Sequence, residues 1–282
     1  MRPDEPNSTR PDIHCQGVCF VYPNGTSVLE GVSFDVARGE RLGVLGPNGG
    51  GKSTLINLIL GELQPTSGEI TVLGHSPSGA RSRGLIGAVP QHARATPSVP
   101  LNPSQLVTFA ASFKRSSWKP LDPDIRSRVL DTLELVGLSE ARELSIDALS
   151  HGQHQRLRIA QALVREPRIL ILDEPDVGID ASGQQQFGEL LDRLHREREL
   201  TIIIVSHNIR AIASTCDRVL CIARNAHLHS SPEGLTPAVL AEVFQHDMAH
   251  ALGHSDGDVH VDAHFASDCH GHHDHGSGTE HA

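Results

Sequence analysis

Gly46-Pro47-Asn48-Gly49-Gly50-Gly51-Lys52-Ser53-Thr54 fits the spacing G-x-x-x-x-G-K-[ST], and its residue types suit a polyphosphate. Closely spaced phosphate oxygens need several backbone N–H groups at once, and glycines let the backbone come that close. Lys52 can then reach the outer phosphates, and the Ser53 hydroxyl can coordinate Mg²⁺. A second chemical group lies at Asp173-Glu174, two carboxylates directly after the apolar run Ile169 to Leu172. Asp173 is suited to hold the same Mg²⁺, directly or through water, and Glu174 to orient or deprotonate an attacking water. A third is Leu149-Ser150-His151-Gly152-Gln153, a small-residue helix start that offers N–H groups and a hydroxyl to an anion. One chain cannot usefully close two helix N-termini on one phosphate. The simplest resolution is a homodimer in which each cradle faces the other subunit's Ser150 and Gly152.

The elements that must position these groups follow from periodicity. Leu42 to Leu45 reads as a buried strand before the cradle, and Leu55, Ile56, Ile59, Leu60 and Leu63 as the helix after it, closed by Gly61 and Pro65. Residues 13–36 read as antiparallel strands, with Val32, Phe34 and Val36 alternating and a Pro-Asn-Gly turn at 23–25. Tyr22, just before that turn, has a flat ring able to stack on a purine. Glu69 to Leu73 and Leu85 to Val89 read as two more strands, the second ending at Pro90-Gln91.

From Asn102 to Val164 the pattern is helical, with Asn102-Pro103 and Asp122-Pro123 each reading as an N-cap followed by Pro. One helix carries Ile125, Val129, Leu130, Leu133 and Val136 on one face and ends at Gly137. Ile169 to Leu172 and Ile202 to Val205 are continuous apolar runs of the kind buried parallel strands show. Between them Asp180 can cap a helix whose inner face is Phe187, Leu190, Leu191 and Leu194. Pro237 to about Leu252 reads as a last helix.

Composition narrows the classes. The 282 residues are 38% apolar and 21% charged, as in an ordinary soluble protein, and no run approaches the length that spans a bilayer. Five cysteines, at 15, 19, 216, 221 and 269, include no C-x-x-C pair and read as buried free thiols. Of the net charge of −10, residues 246–282 contribute −7 from six Asp and one Glu with no Lys or Arg, which leaves −3 for the body. Such a body has no basic stripe, and nucleic acid is not an expected partner.

Tyr22, Gly46 to Thr54, Gln91, Leu149 to Gln153, Ile169 to Glu174, Asp180 and His207 resemble, in order and spacing, the motifs of ABC transporter ATPase subunits. The likeness runs over residues 13–245. It implies an α/β fold: a P-loop NTPase core of mostly parallel sheet with helices, an antiparallel β subdomain, and an α-helical signature subdomain at about 92–165. It also implies ATP and Mg²⁺ as ligands, with Tyr22 stacking on adenine, Gln91 touching Mg²⁺ and water, His207 contacting the γ-phosphate, Asp180 coupling the two sites of a dimer, and Gln153 completing the in-trans signature. The commonest signature is Leu-Ser-Gly-Gly-Gln, and this chain has His151 at the third position. The Gly-Gly-Gly of the cradle, the Val89-Pro90-Gln91 turn and the proline-punctuated segment after it look most like zinc and manganese importers. That group implies integral membrane permease subunits, an extracytoplasmic metal-binding protein, and a place on the cytoplasmic face of the membrane. Another cargo, or a regulatory ATPase outside transport, are the alternatives.

Residues 246–282 hold ten of the nineteen histidines and read as a separate, disordered segment. His246, His250 and His254 fall at four-residue spacing, and His270, His272, His273 and His275 crowd beside Cys269. Imidazole and carboxylate are ligands that first-row divalent ions prefer, so either set is a candidate zinc site.

Overall fold

The computed structural model describes residues 10–91, 101–112, 123–175, 181–223 and 225–229. β1 (Ile13–Val21) and β2 (Ser27–Val36) form the expected antiparallel pair, closed by a turn in which the Gly25 N–H donates to the Tyr22 carbonyl at 2.8 Å. β4 (Ser67–Val72) joins the free side of β1, giving a three-stranded sheet of order β2-β1-β4. The second sheet contains β3 (Arg41–Leu45), β5 (Ile86–Val89), β6 (Ile169–Asp173), β7 (Thr201–Val205), β8 (Arg218–Ala223) and β9 (Asn225–His229). Its order is β5-β6-β7-β3-β8-β9, parallel except for the antiparallel β8–β9 hairpin. The two strands expected after the cradle therefore part company: β4 goes to the antiparallel sheet and β5 to the parallel one.

Both faces of the six-stranded sheet are buried, and alternate residues divide between two cores as strand geometry requires. Leu42, Val44, Ile169, Ile171, Ile203, Val205, Leu220 and Ile222 pack with the inner face of the antiparallel sheet and with α1 (Lys52–Ile59). Leu170, Leu172, Ile202, Ile204, Val219 and Cys221 pack under the helices of the opposite face. Those helices are α3 (Pro103–Ser112), α4 (Pro123–Leu135), α5 (His151–Leu163), α6 (Ala181–Arg198) and α7 (Ile209–Thr215). A short helix α2 (Pro77–Ser82), capped by Ser76, covers the ends of β4 and β5. In β3 a Cβ on Gly43 would lie 2.4 Å from Ile212 of α7, so only glycine lets α7 settle on the central strand.

Several local expectations are met. Asn102 accepts from the Gln105 N–H, and the Gln105 side chain accepts from the Asn102 N–H, a reciprocal cap that starts α3. On α4, Ile125, Val129 and Leu133 are buried, as is Val136 just past its end, whereas Leu130 is 38% exposed. The expectation for Leu130 fails because it lies about 100° around the helix from Val129, off the buried stripe. Leu190, Leu191 and Leu194 are buried on α6, with Phe187 packed beside them. Cys15, Cys216 and Cys221 are buried free thiols, whereas Cys19, on the outer side of β1, is only partly covered. α2, α7, β8 and β9 were not anticipated. Asp122, Asp180, the last helix and the whole of 246–282, with Cys269, lie outside the described residues.

Candidate functional site

The site forms along one edge of the parallel sheet, where strands deliver residues at their C-terminal ends. The cradle follows β3, Asp173 and Glu174 close β6, His207 follows β7, and Gln91 follows β5. Because β6, β7 and β3 are neighbours in the sheet, chain segments far apart in sequence meet along this edge.

The cradle itself is built on the carbonyl of Ile222 in β8. A Cβ on Gly46 would lie 2.1 Å from that oxygen, and one on Gly50 would lie 2.9 Å from it and 3.0 Å from the Pro47 carbonyl. Gly51 has φ 102, and a Cβ there would lie 2.8 Å from Leu29 and 3.1 Å from the Val28 carbonyl of the antiparallel sheet. These glycines are needed by the protein's own packing as well as by a phosphate. Lys52 is 8% exposed, and its Nζ donates to the carbonyls of Gly46 and Pro47 at 2.7 and 2.9 Å, which sets the ammonium in the middle of the loop. The N-cap of α1, Gly51, supplies no side-chain cap, and the first turn holds no acidic residue. Such a helix start suits an anion. Ser53 is exposed on the same turn, while Thr54 is buried and shares a hydrogen bond of 3.2 Å with the Tyr22 hydroxyl. Tyr22 in turn stands edge-on to Phe20 with ring centroids 4.9 Å apart. The purine-stacking candidate is thus tied directly to the cradle, with 37% of its surface exposed.

Across the sheet edge, Glu174 has φ 48 and its N–H donates to the Val205 carbonyl at 2.8 Å. Strand alternation ends at Asp173, so the left-handed residue re-aims the Glu174 side chain by a route other than simple up-and-down alternation. Its carboxylate accepts from Gln91 Nε2 at 2.5 Å, and His207 Nδ1 lies 3.7 Å from the other oxygen. Gln91, Glu174 and His207 are therefore one cluster. The hydroxyl of Ser53, the carboxylate of Asp173 and the amide oxygen of Gln91 are the hard oxygen donors that Mg²⁺ takes, so the residues present fit that ion.

Ser206 and Asn208 escaped the sequence reading. Ser206 is 1% exposed; its N–H donates to the Val44 carbonyl and its Oγ accepts from the Asn208 N–H. Asn208 then caps α7 by accepting from the Ala211 N–H. Together they fix His207 between the central strand and a helix start. An Asn directly before an apolar helical pattern was the signal available.

Ser150 caps α5: its Oγ accepts from the Gln153 N–H at 3.3 Å, and the Gln153 side chain accepts from the Ser150 N–H at 2.9 Å. Gln153 thus holds the helix start in shape. A Cβ on Gly152 would meet nothing within 4 Å, and the first turn of α5 has no acidic residue. α1 and α5 nevertheless pack into different cores on opposite faces of the sheet.

Known proteins resemble this chain. The chain is 35% identical over 221 residues, 78% of its length and 85% of the relative's, to a Thermotoga maritima protein named "Probable metal transport system ATP-binding protein". It is 36% identical over 211 residues to the zinc uptake system ATP-binding protein ZurA of Listeria monocytogenes, covering 74% of this chain and 82% of that one. Among solved structures, cbiO1 from Clostridium perfringens, part of the ABC transporter complex cbiONQ, superposes with a TM-score of 0.72 at 30% identity, over 86% of this chain and 99% of that one. The ABC transporter family model matches residues 29–177, from β2 to just past the Asp173-Glu174 pair. With that match laid over the sheet edge described above, the chain belongs to the ABC transporter ATP-binding family and is an ATP hydrolase.

Proposed function

We propose that this ATPase energises the uptake of a divalent metal ion, zinc before manganese, through separate membrane permease subunits supplied by an extracytoplasmic metal-binding protein. The observation that carries the ATPase half is the meeting of the cradle, Asp173-Glu174, Gln91 and His207 at neighbouring strand ends. The cargo half rests on the relatives, one named for metal transport and one for zinc uptake. No helix among the described residues is long and apolar enough to cross a membrane, which agrees with a peripheral subunit on the cytoplasmic face.

In this reading Tyr22 stacks on adenine while the N–H groups of 46–54 and Lys52 hold the phosphates. Bound Mg²⁺, held by Ser53, Asp173 and Gln91, would neutralise phosphate charge. Glu174 takes the proton of the attacking water, and His207 steadies the γ-phosphate and the Glu174 carboxylate. Ser150, Gly152 and Gln153 act on the partner subunit's nucleotide, and Asp180 couples the two sites. The placement of α1 and α5 on opposite faces of one sheet supports a homodimer with composite sites, because one chain presents its two anion-receptive helix starts to different neighbours. The histidines of 246–282 are proposed to hold zinc in reserve.

Zinc uptake by cells lacking the gene, complemented with the parent chain or with Glu174→Gln, tests the cargo. Restoration by the parent and not by the variant is expected. Unimpaired zinc and manganese uptake in the deletion strain, grown with either metal limiting, would overturn the assignment.

A further inference from the structure

β9 is an edge strand, and its residues alternate between faces. Ala226 and Leu228 pack into the core shared with the antiparallel sheet. His227 and His229 therefore point to the opposite face, opposite Cys221 and Val219 in the β8–β9 register. His227 is exposed and His229 is half-buried. The Nε2 of His229 is closed off from solvent and has no hydrogen-bond partner among the described residues. A buried polar atom in that condition costs free energy that a ligand would return.

Two histidines at positions i and i+2 on one face of a strand are about 6.6 Å apart along the chain. Zinc–imidazole bonds of about 2 Å, added to the reach of each ring, allow both to meet one ion. We propose that His227 and His229 form a chelating pair for a divalent first-row cation of the imidazole-preferring class, at the edge of the six-stranded sheet and separate from the nucleotide site. No group of three or more His, Cys, Asp or Glu side chains among the described residues could hold a metal, so from those residues the pair supplies two ligands. Cys221 does not join, since its side chain is fully covered within the core.

Histidine labelling with diethyl pyrocarbonate, read by mass spectrometry of the peptide containing residues 227 and 229, tests this in the full chain. Free zinc is held constant by a metal buffer, so the histidines of 246–282 cannot deplete it. His227 should label about tenfold more slowly when free zinc exceeds the dissociation constant by that factor. His229→Gln should restore its labelling rate in zinc, with thermal unfolding and ATP binding measured to show that the variant is folded. An unchanged His227 rate in the parent chain would overturn the site. Zinc protection of His227 that persists in folded His229→Gln would overturn the pairing.

Discussion

Glu174 follows Asp173 directly, yet its left-handed backbone, its bond to the β7 carbonyl and its contacts with Gln91 and His207 give it a position of its own. Glu174→Gln keeps the shape and removes the base. Turnover should fall by about a hundredfold or more while ATP binding persists, measured by steady-state hydrolysis and by nucleotide titration. Near-parental turnover would remove Glu174 from the role of base. A different test suits the cradle. Gly46→Ala places a methyl 2.1 Å from the Ile222 carbonyl, and overpacking of this kind costs about 1–3 kcal/mol. Both the melting temperature and ATP affinity should drop, and retention of both would show that the loop does not rest on β8. The cradle was legible as a motif because its spacing is local. Why Gly46 and Gly50 must be glycines was not, since the atom they avoid belongs to residue 222.

α5 has two duties, one toward its own chain and one proposed toward a partner. Ser150→Ala removes the cap and should destabilise the protein by about 1 kcal/mol, seen as a lower denaturation midpoint. Ser150→Arg should abolish most hydrolysis without weakening ATP binding by the separate subunit. Mixing it with a Lys52→Ala chain should recover activity that neither shows alone, because one site of the mixed dimer is then intact. No recovery at any mixing ratio, with dimers present, would sink the composite site. At this scale the sequence was informative wherever an amphipathic or fully apolar run stood alone, as in β3, β6, β7 and α6. It was uninformative about sheet order. The pairing of β3 with β7 and β8, which brings His207 and Ile222 to the cradle, depends on contacts more than 150 residues distant.

Across the whole molecule, charged side chains tie late strands to early ones. Arg41 on β3 reaches Asp217 through Nη2 at 2.8 Å and Asp192 of α6 through Nη1 at 2.7 Å, and Asp12 accepts from the Thr201 hydroxyl at 2.6 Å. Burial works to raise the pKa of Asp217, but the hydrogen bonds and charge of Arg41 outweigh it and hold the carboxyl below its ordinary 3.8. A lowered folded pKa stabilises the protein above the unfolded value, and the gain disappears as pH falls through the folded one. Asp217→Asn should therefore cost about 1 kcal/mol or less at pH 7, the partial exposure limiting it, and progressively less as pH falls below 3.8 and through the lowered folded pKa. Melting curves of both proteins across that range provide the check; a gap independent of pH would assign the effect to packing.

The strand order also sets a timetable for synthesis. β3 and the cradle leave the ribosome early, but β3 lies between β7 and β8, whose residues 201–205 and 218–223 emerge near the end of the described chain. Until then the strand that carries the phosphate loop has neither neighbour, and the loop lacks the Ile222 carbonyl beneath it. Long-range parallel pairing of this kind is slow and leaves apolar strands waiting. A nascent chain stalled at residue 200 holds the cradle and the Asp173-Glu174 pair but neither His207 nor the strands that seat the loop; competence to bind ATP is expected only late, once β7 and β8 flank β3.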